Sequence, residues 1–246
     1  SLSWVWDAVL EAALRAEIRF WEDENVANAP ARITVIGMGR LGGAELGYGS
    51  DADVMFVAQP VEGADESEAL KWATSICDSV RTRLGRPSQD PPLDVDIDLR
   101  PEGRNGPVVR TLDSYRRYYK EWGETWEMQA LLRATWIAGD KDLGIEFLRM
   151  IDDFRYPPGG VDDKVVQEVR RMKARVDSER LPRGADRKTH TKLGRGALTD
   201  VEWTVQLLAM QHGDDAQNLR NTSTLETLRE LASGEFIAES DADILR

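Results

Sequence analysis

The chain has 246 residues, 41% of them hydrophobic, which is enough for one large or two ordinary domains with real cores. Its formal net charge of −12 disfavours contact with a phosphate backbone, which normally requires a basic face, so we expect no nucleic-acid partner. A single cysteine, Cys77, leaves no disulfide framework or thiolate metal site, and His190 and His212 are too isolated for a zinc pattern.

Membrane and export signals are also missing from the sequence. No uninterrupted apolar run approaches the roughly 18 residues of a membrane span. The first residues, SLSWVWDAVLEAAL, lack the basic lead and small-residue cleavage site of a signal peptide. We therefore predict a cytoplasmic protein with no membrane partner.

The first half of the chain alternates between helix and strand signals. Helical spacing over 2–25 predicts a leading helix within residues 1–29, closed by Pro30. The patterns that follow predict strand 33–36, a short helix opening near Gly42-Gly43, strand 53–57, helix 66–84 and strand 93–99. This alternation predicts a small α/β head over 30–110.

The second half, residues 111–246, has amphipathic helical periodicity and predicts an all-α bundle. Predicted helices cover 113–122, 125–138, 141–154, 161–181, 199–211 and 223–232. Thr199 with Glu202, and Ser223 with Glu226, match the capping box. A break is expected at 157–160. The basic loop 182–196 is either a solvated connector or a contact for phosphates or an acidic partner surface. The last residues stop within another helical pattern, which suggests a piece of something longer.

A glycine-rich turn lies between the first two predicted strands. The spacing Gly37-x-Gly39-x-x-Gly42 fits the dinucleotide-binding fingerprint. That fingerprint needs an acidic residue at the end of the second strand to bind a ribose. Asp51 and Asp53 instead precede the apolar run of that strand. The acids are misplaced for a dinucleotide, which weakens the hypothesis of an oxidoreductase.

Two acidic rows are predicted in the head. Side chains two apart on a strand share a face, so Asp51 and Asp53 point the same way, and 93–99 carries a second alternating row that includes Asp96. Oxygen-only ligands indicate Mg²⁺ or Mn²⁺. Each row alone is also typical of a solvated strand face. Ser-Asp-Ala-Asp recurs at 240–243, where we expect Ser240 to cap a helix with acids in its first turn.

The surroundings of the first row favour a metal site. A helix opening at Gly42-Gly43 after a strand would offer backbone N–H groups and a positive dipole to a phosphate. Phosphates bind Mg²⁺, and a glycine turn before Asp-x-Asp with a third carboxylate on a later strand resembles the nucleotidyltransferase superfamily that contains DNA polymerase beta.

Longer blocks resemble one family within that superfamily, glutamine synthetase adenylyltransferase. They run in the family's order and comprise GMGRLGGAELGYGSDADVMFV at 37–57, VDIDLRPEG at 95–103, YRRY at 115–118, WEMQAL at 126–131 and KLGRG at 192–196. The family fuses two related units, one that attaches AMP to a tyrosine of glutamine synthetase and one that removes it by phosphorolysis. This chain is long enough for one unit. The wording ELGYGS resembles the C-terminal, adenylylating unit.

The resemblance implies a fold, a site and partners. The fold would be α+β, a DNA polymerase beta-like head with a mixed sheet followed by the helical bundle. Asp51, Asp53 and Asp96 would be the catalytic carboxylates and ligands of two Mg²⁺ ions. The triphosphate of the substrate ATP would be lined by Gly42, Gly43 and Ser50, with Arg40 and Arg100 as candidate phosphate contacts. Glutamine synthetase would be the target, and a PII signalling protein is a second candidate partner.

Other functions stay open at this point. The chain could be the adenylyl-removing unit of the same family, which runs the same path backwards. It could also be a nucleotide- or PII-sensing module without chemistry, although such a sensor has no need for three metal ligands.

Overall fold

A computed structural model describes residues 1–87, 92–186 and 188–246. They form two compact units, Ser1–Gly123 with Arg133–Ile151, and Glu124–Leu132 with Asp152–Arg246. The chain therefore enters the second unit twice. The three-part division at 29/30 and 110/111 stays a prediction.

The first unit is built on a mixed sheet. Its described strands, β1 to β5, are Ala31–Gly37, Ala52–Pro60, Val95–Asp96, Val109–Arg110 and Thr135–Gly139. β1 pairs antiparallel with β2 and with β5, whereas β2 pairs parallel with β3 and with β4. The order is β3-β2-β1-β5, with β4 also beside β2. The predicted α+β class with a mixed sheet is confirmed.

The helices agree closely with the sequence pattern. In chain order, α1 to α10 are Leu2–Asn25, Gly39–Gly42, Glu66–Leu84, Leu112–Glu121, Thr125–Leu131, Lys141–Arg155, Asp163–Glu179, Leu198–His212, Thr224–Ser233 and Glu239–Leu245. The helices predicted over 2–25 and 66–84 coincide with α1 and α3. Apolar periodicity therefore located most of the helices well.

Both faces of the sheet are buried. Successive side chains of β2 alternate between them, as expected for a strand. Phe56 lies in the core that includes Leu14 of α1 and Trp72 of α3. Met55, on the opposite face, accepts a hydrogen bond from the hydroxyl of Tyr119 of α4 at 3.7 Å. This double cover explains why β2 has a continuous apolar run.

The second unit contains helices and turns in its described residues. One apolar cluster joins α8, α9 and α10 and comprises Val205, Leu219, Leu228, Leu231 and Ala242. The break predicted at 157–160 is a turn in which Gly160 has φ 72°, and a Cβ there would lie 2.1 Å from the carbonyl oxygen of Gln211. The basic loop contains turns, and its Arg187 lies outside the described residues.

One predicted helix is wrong over half its length. The pattern at 125–138 predicts a single helix, but α5 ends at Leu131 and β5 begins at Thr135. β5 contains Trp136 and Ile137 and pairs with β1, so tertiary pairing and β propensity override the helical period. Gly139 ends the strand with φ 79°.

Helix caps were predicted with mixed success. Ser223 caps α9 as expected. Thr199 does not cap α8, which begins after Ala197, because its hydroxyl donates to a backbone carbonyl of the preceding loop. Ser240 lies inside α10, whose N-cap is Ala238, so the expected serine cap there is also wrong. The residue that caps a helix therefore depends on the conformation of the loop before it, which the capping pattern alone does not predict.

Candidate metal centre

The first acidic row lies where the chain enters β2. Asp51 precedes the strand and is exposed, whereas Asp53 is its second residue and is half-buried. Parallel pairing places Asp53 opposite Asp96 of β3. One carboxylate oxygen from each of Asp51, Asp53 and Asp96 lies within 4.8 Å of the other two. We call this cluster the carboxylate triad.

The second acidic row is shorter than predicted. Only two residues form β3 instead of the expected strand over 93–99. The Oδ1 atom of Asp96 accepts the backbone N–H of Asp98 at 2.6 Å, which turns the chain away from the sheet. The Asp98 carboxylate accepts a hydrogen bond from Arg104 at 2.7 Å. The carboxylate of Asp98 is therefore paired with the Arg104 side chain, and Asp96 supplies the third member of the triad.

The glycine turn differs from the expectation. The short helix α2 begins after Met38 and ends at Gly42, so the prediction that a helix opens at Gly42-Gly43 is wrong. The N–H of Gly42 donates to the carbonyl of Met38 at 2.8 Å, and that of Gly43 donates to the carbonyl of Gly39 at 3.2 Å. These two amides therefore have backbone partners and are not bare donors for a phosphate.

Gly39 brings the turn against the triad. Its φ of 51° is in the left-handed region that favours glycine. A Cβ on Gly39 would lie 2.5 Å from Oδ2 of Asp53, so a side chain there would press on the carboxylate. The backbone N–H of Met38 also donates to the carbonyl of Asp53 at 2.8 Å. The turn and the start of β2 are thus fixed to each other by close packing and a hydrogen bond.

Residues 43–51, which we call the site loop, are tied to the first turn of α1. The N–H of Leu46 donates to the hydroxyl of Ser3 at 3.0 Å, and the hydroxyl of Ser1 donates to the carbonyl of Ala44 at 3.1 Å. Ser50 is half-buried and directly precedes the first carboxylate of the triad. The leading helix therefore helps to hold the loop that carries Ser50.

The two arginines expected to contact phosphate differ in their surroundings. Arg40 is half-buried on α2, close in sequence to Gly39. Arg100 is only 6% exposed and donates to the carbonyls of Ile97 at 2.7 Å and Gly106 at 3.2 Å. Burial lowers the pKa of its guanidinium. Arg100 therefore closes the turn after β3, and its role as a phosphate contact stays a prediction.

Sequence reasoning missed Arg133. This side chain is buried, donates from Nε to the carbonyl of Gly39 at 2.9 Å and forms an ion pair with Glu45 at 2.8 Å. The helix predicted over 125–138 would have placed Arg133 on the surface, with no sign of a contact to the glycine turn. Only the correct assignment of β5 could have revealed its position.

A cavity of about 680 Å³ in the first unit is lined by other residues than the triad. It lies along the end of β2 at Gln59 and the first turns of α3 and α4. Its charged residues include Lys71, which is paired with Glu68, and Arg110, which donates to Ser114. None of the three triad residues lines this cavity, which is therefore a different site from the candidate metal centre.

The donor set of the triad fits a hard divalent cation. Three carboxylates offer oxygen atoms, which Mg²⁺ and Mn²⁺ prefer, and the triad contains no histidine or cysteine to favour zinc. Like charges this close are costly unless a positive charge lies between them.

Comparisons with known proteins fit this arrangement. A model of the glutamate-ammonia ligase adenylyltransferase family matches residues 1–150, more than half of the chain and the part that contains the triad. The chain belongs to that family. A model described as GlnD PII-uridylyltransferase matches residues 170–246, in the helical second unit. The resemblance stated from the sequence motifs is therefore confirmed.

Curated relatives carry the name bifunctional glutamine synthetase adenylyltransferase/adenylyl-removing enzyme. The chain is 64% identical over 250 residues to that of Corynebacterium diphtheriae, 65% over 248 to that of Corynebacterium efficiens, and 59% over 246 to that of Mycobacterium bovis. Each match covers the whole chain but only 24% or 25% of the relative. The chain thus spans about a quarter of the length of these relatives.

The described residues also bear on the membrane prediction. None of the helices they form combines the length and the apolar character needed to cross a bilayer.

Proposed function

We propose that this chain is a Mg²⁺-dependent nucleotidyltransferase unit that moves AMP from ATP to a tyrosine hydroxyl of glutamine synthetase. The observation that carries the proposal is the carboxylate triad, with its oxygens within 4.8 Å, beside the Gly39 turn in a member of this family. The wording ELGYGS at 45–50 favours the adenylylating unit over the adenylyl-removing one.

The three carboxylates would hold two Mg²⁺ ions. Bound there, these ions would neutralise charge on the phosphates and lower the pKa of the attacking hydroxyl, which is near 10 in free tyrosine. Asp53 gives one oxygen to this cluster, and a Cβ on Gly39 would crowd its Oδ2 atom. Asp51 is exposed and therefore faces the solvent from which substrates arrive.

Asp96 is the candidate general base. Its Oδ1 accepts the N–H of Asp98, which orients the carboxylate and leaves Oδ2 to bind a cation or receive the tyrosine proton. The proton is thereby taken from the hydroxyl while its oxygen bonds to the α-phosphorus and pyrophosphate leaves.

For the triphosphate we propose contacts from two side chains. Ser50 and Arg40 remain the proposed contacts, because both lie in segments that adjoin the triad. Gly42 and Gly43 would act by keeping the turn compact, since their amides donate to backbone carbonyls. Glutamine synthetase and a PII signalling protein as partners, and a cytoplasmic location, are part of the same proposal.

The test measures both directions of transfer. The chain is incubated with α-³²P-labelled ATP, Mg²⁺ and unmodified glutamine synthetase, and separately with labelled adenylylated glutamine synthetase and inorganic phosphate. We expect label on the synthetase in the first reaction. Labelled ADP in the second reaction alone would assign the chain to the adenylyl-removing unit.

A third outcome distinguishes the sensor hypothesis. Binding of ATP without transfer in either direction, while a full-length relative is active under the same conditions, would contradict an enzymatic role for this chain.

A further inference from the structure

The glycine turn beside the triad is held by one side chain from a distant part of the sequence. Arg133 directly precedes the segment leading into β5 and is 5% exposed. Its Nε donates to the carbonyl of Gly39, and its Nη2 contacts Glu45 in the site loop. The guanidinium therefore connects the glycine turn to the site loop.

The glycines of the turn fit around Arg133. A Cβ on Gly43 would lie 2.2 Å from Nη2 of Arg133, and a Cβ on Gly42 would lie 1.8 Å from its backbone oxygen. Both glycines thus leave room for Arg133, one for its side chain and one for its main chain. This packing accounts for glycines that the sequence pattern had suggested for phosphate binding.

The turn in turn contacts the triad. Gly39, whose carbonyl Arg133 holds, packs against Oδ2 of Asp53. A helix of four residues such as α2 has too few hydrogen bonds to hold its own position, so outside contacts must fix it. We propose that Arg133 is a positioning residue of the carboxylate triad, whose affinity for Mg²⁺ depends on this clamp. The inference rests on the proposed function.

Arginine suits this position better than lysine. The two acceptors, the Gly39 carbonyl and the Glu45 carboxylate, bind different nitrogens of one planar group. A lysine ammonium is a point charge and does not reproduce this fixed fork. Loss of the guanidinium would also remove the ion pair between Arg133 and Glu45, whose side chain is 25% exposed.

The first experiment tests the packing. Gly43→Ala should lower the melting temperature by about 5 °C in the wild-type chain, since the added Cβ would clash with the guanidinium of Arg133. It should have little further effect in the Arg133→Ala background, where its clash partner is gone. Gly42→Ala is the matched control, because it meets a backbone atom and should be equally harmful in both backgrounds. Additive effects of Gly43→Ala and Arg133→Ala would contradict the contact.

The second experiment tests positioning by titrating Mg²⁺ and following the melting temperature, which requires no AMP transfer. Arg133→Gln should raise the Mg²⁺ concentration for half-maximal stabilisation at least tenfold, and Arg133→Lys should give an intermediate shift. Arg83→Gln is the control: it removes an ion pair to the buried Glu17 in the same unit and should lower stability without moving the midpoint.

The outcomes separate this inference from the proposed function. A wild-type chain that does not respond to Mg²⁺ overturns both. A wild-type response that is unchanged in Arg133→Gln, or shifted equally in Arg83→Gln, overturns the role of Arg133 alone. If Arg133→Gln does not fold, Arg133→Lys and Glu45→Gln carry the same test, with Glu45→Gln expected to shift the midpoint less because Arg133 keeps its bond to Gly39.

Discussion

The tetrapeptide Ser-Asp-Ala-Asp occurs in both units and has a different structure in each. At 50–53 it enters β2, whereas at 240–243 it lies within α10. In the strand, side chains two apart share a face, so Asp51 and Asp53 converge. In the helix, residues two apart are separated by about 200° around the axis, so Asp241 and Asp243 diverge. The backbone decides whether this acid pair can bind one cation.

The neighbours of the two copies differ as well. In the first unit, β3 adds a third carboxylate, Asp96, and increases the negative charge at one point. In the second unit, Asp243 is paired with Arg246 at 2.6 Å, and Asp241 lies in the first helical turn, where the dipole favours an anion. The first copy thus forms part of a cluster of three carboxylates, whereas an ion pair and the helix dipole offset the charge of the second copy.

The largest expected difference between the copies is in catalysis. Asp53→Asn should reduce AMP transfer to glutamine synthetase about a thousandfold, or about 4 kcal/mol of transition-state stabilisation, because a metal ligand is lost. Asp243→Asn, in the same tetrapeptide, should stay within about twofold of the wild type. The measurement is the initial rate of labelling with ATP at saturating Mg²⁺.

Stability provides the control for this pair. Asp53→Asn should leave the melting temperature unchanged or slightly higher, since it relieves repulsion between carboxylates. Labelling at the wild-type rate by Asp53→Asn would show that the triad is not the metal centre. Equal losses in Asp53→Asn and Asp243→Asn would remove the distinction between the two copies.

The comparison also explains how far the sequence could predict the site. The two-residue period of a strand predicted that Asp51 and Asp53 lie on one face. The strict alternation of acidic and apolar residues after residue 93 predicted a second acidic row. These are local patterns, and local patterns fix which way a side chain points. Pairing of β2 with β3 is not local, yet the family motif identified Asp96 as the third carboxylate.

What the sequence could not give depends on contacts between distant segments. Arg133 lies 94 residues from Gly39, and its role follows from β5, which the helical period concealed. Arg100 resembled a surface contact, but a turn after β3 buries it against two carbonyls. Helix α2 begins at Gly39, earlier than the sequence predicts, because Gly39 adopts a left-handed conformation soon after β1 ends. Tertiary packing therefore determines the position of each of these three features.

A second test of the comparison measures cation binding directly. Mg²⁺ at ten times its dissociation constant should stabilise the native chain by about 1.4 kcal/mol, which raises the melting temperature of the transition that includes the first unit by about 3–6 °C. EDTA should reverse this shift. The double variant Asp51→Asn/Asp53→Asn should lose it, and Asp241→Asn/Asp243→Asn should retain it in full. A shift that survives the first double variant would place the cation elsewhere.

The smallest expected effect concerns Asp7, a half-buried carboxylate of the first unit that lies outside the triad. Its Oδ1 is buried without a hydrogen-bond partner among the described residues, and burial raises its pKa to about 6. The folded chain therefore binds this proton more tightly than the unfolded chain, so the charged form destabilises the fold above about pH 6. Stability from this group should rise as the pH falls from about 6 towards about 4.

Asp7→Asn should therefore raise the melting temperature at pH 7.5 by roughly 2 °C and remove that rise between pH 6 and 4. Asp23→Asn, on an exposed part of the same helix, should change neither quantity. Because Asp7 lies outside the triad, its variant should respond to Mg²⁺ as the wild type does. This separates a carboxylate made unfavourable by burial alone from carboxylates that a cation can stabilise. A pH profile identical to the wild type would show that Asp7 is ionised at no cost to the fold.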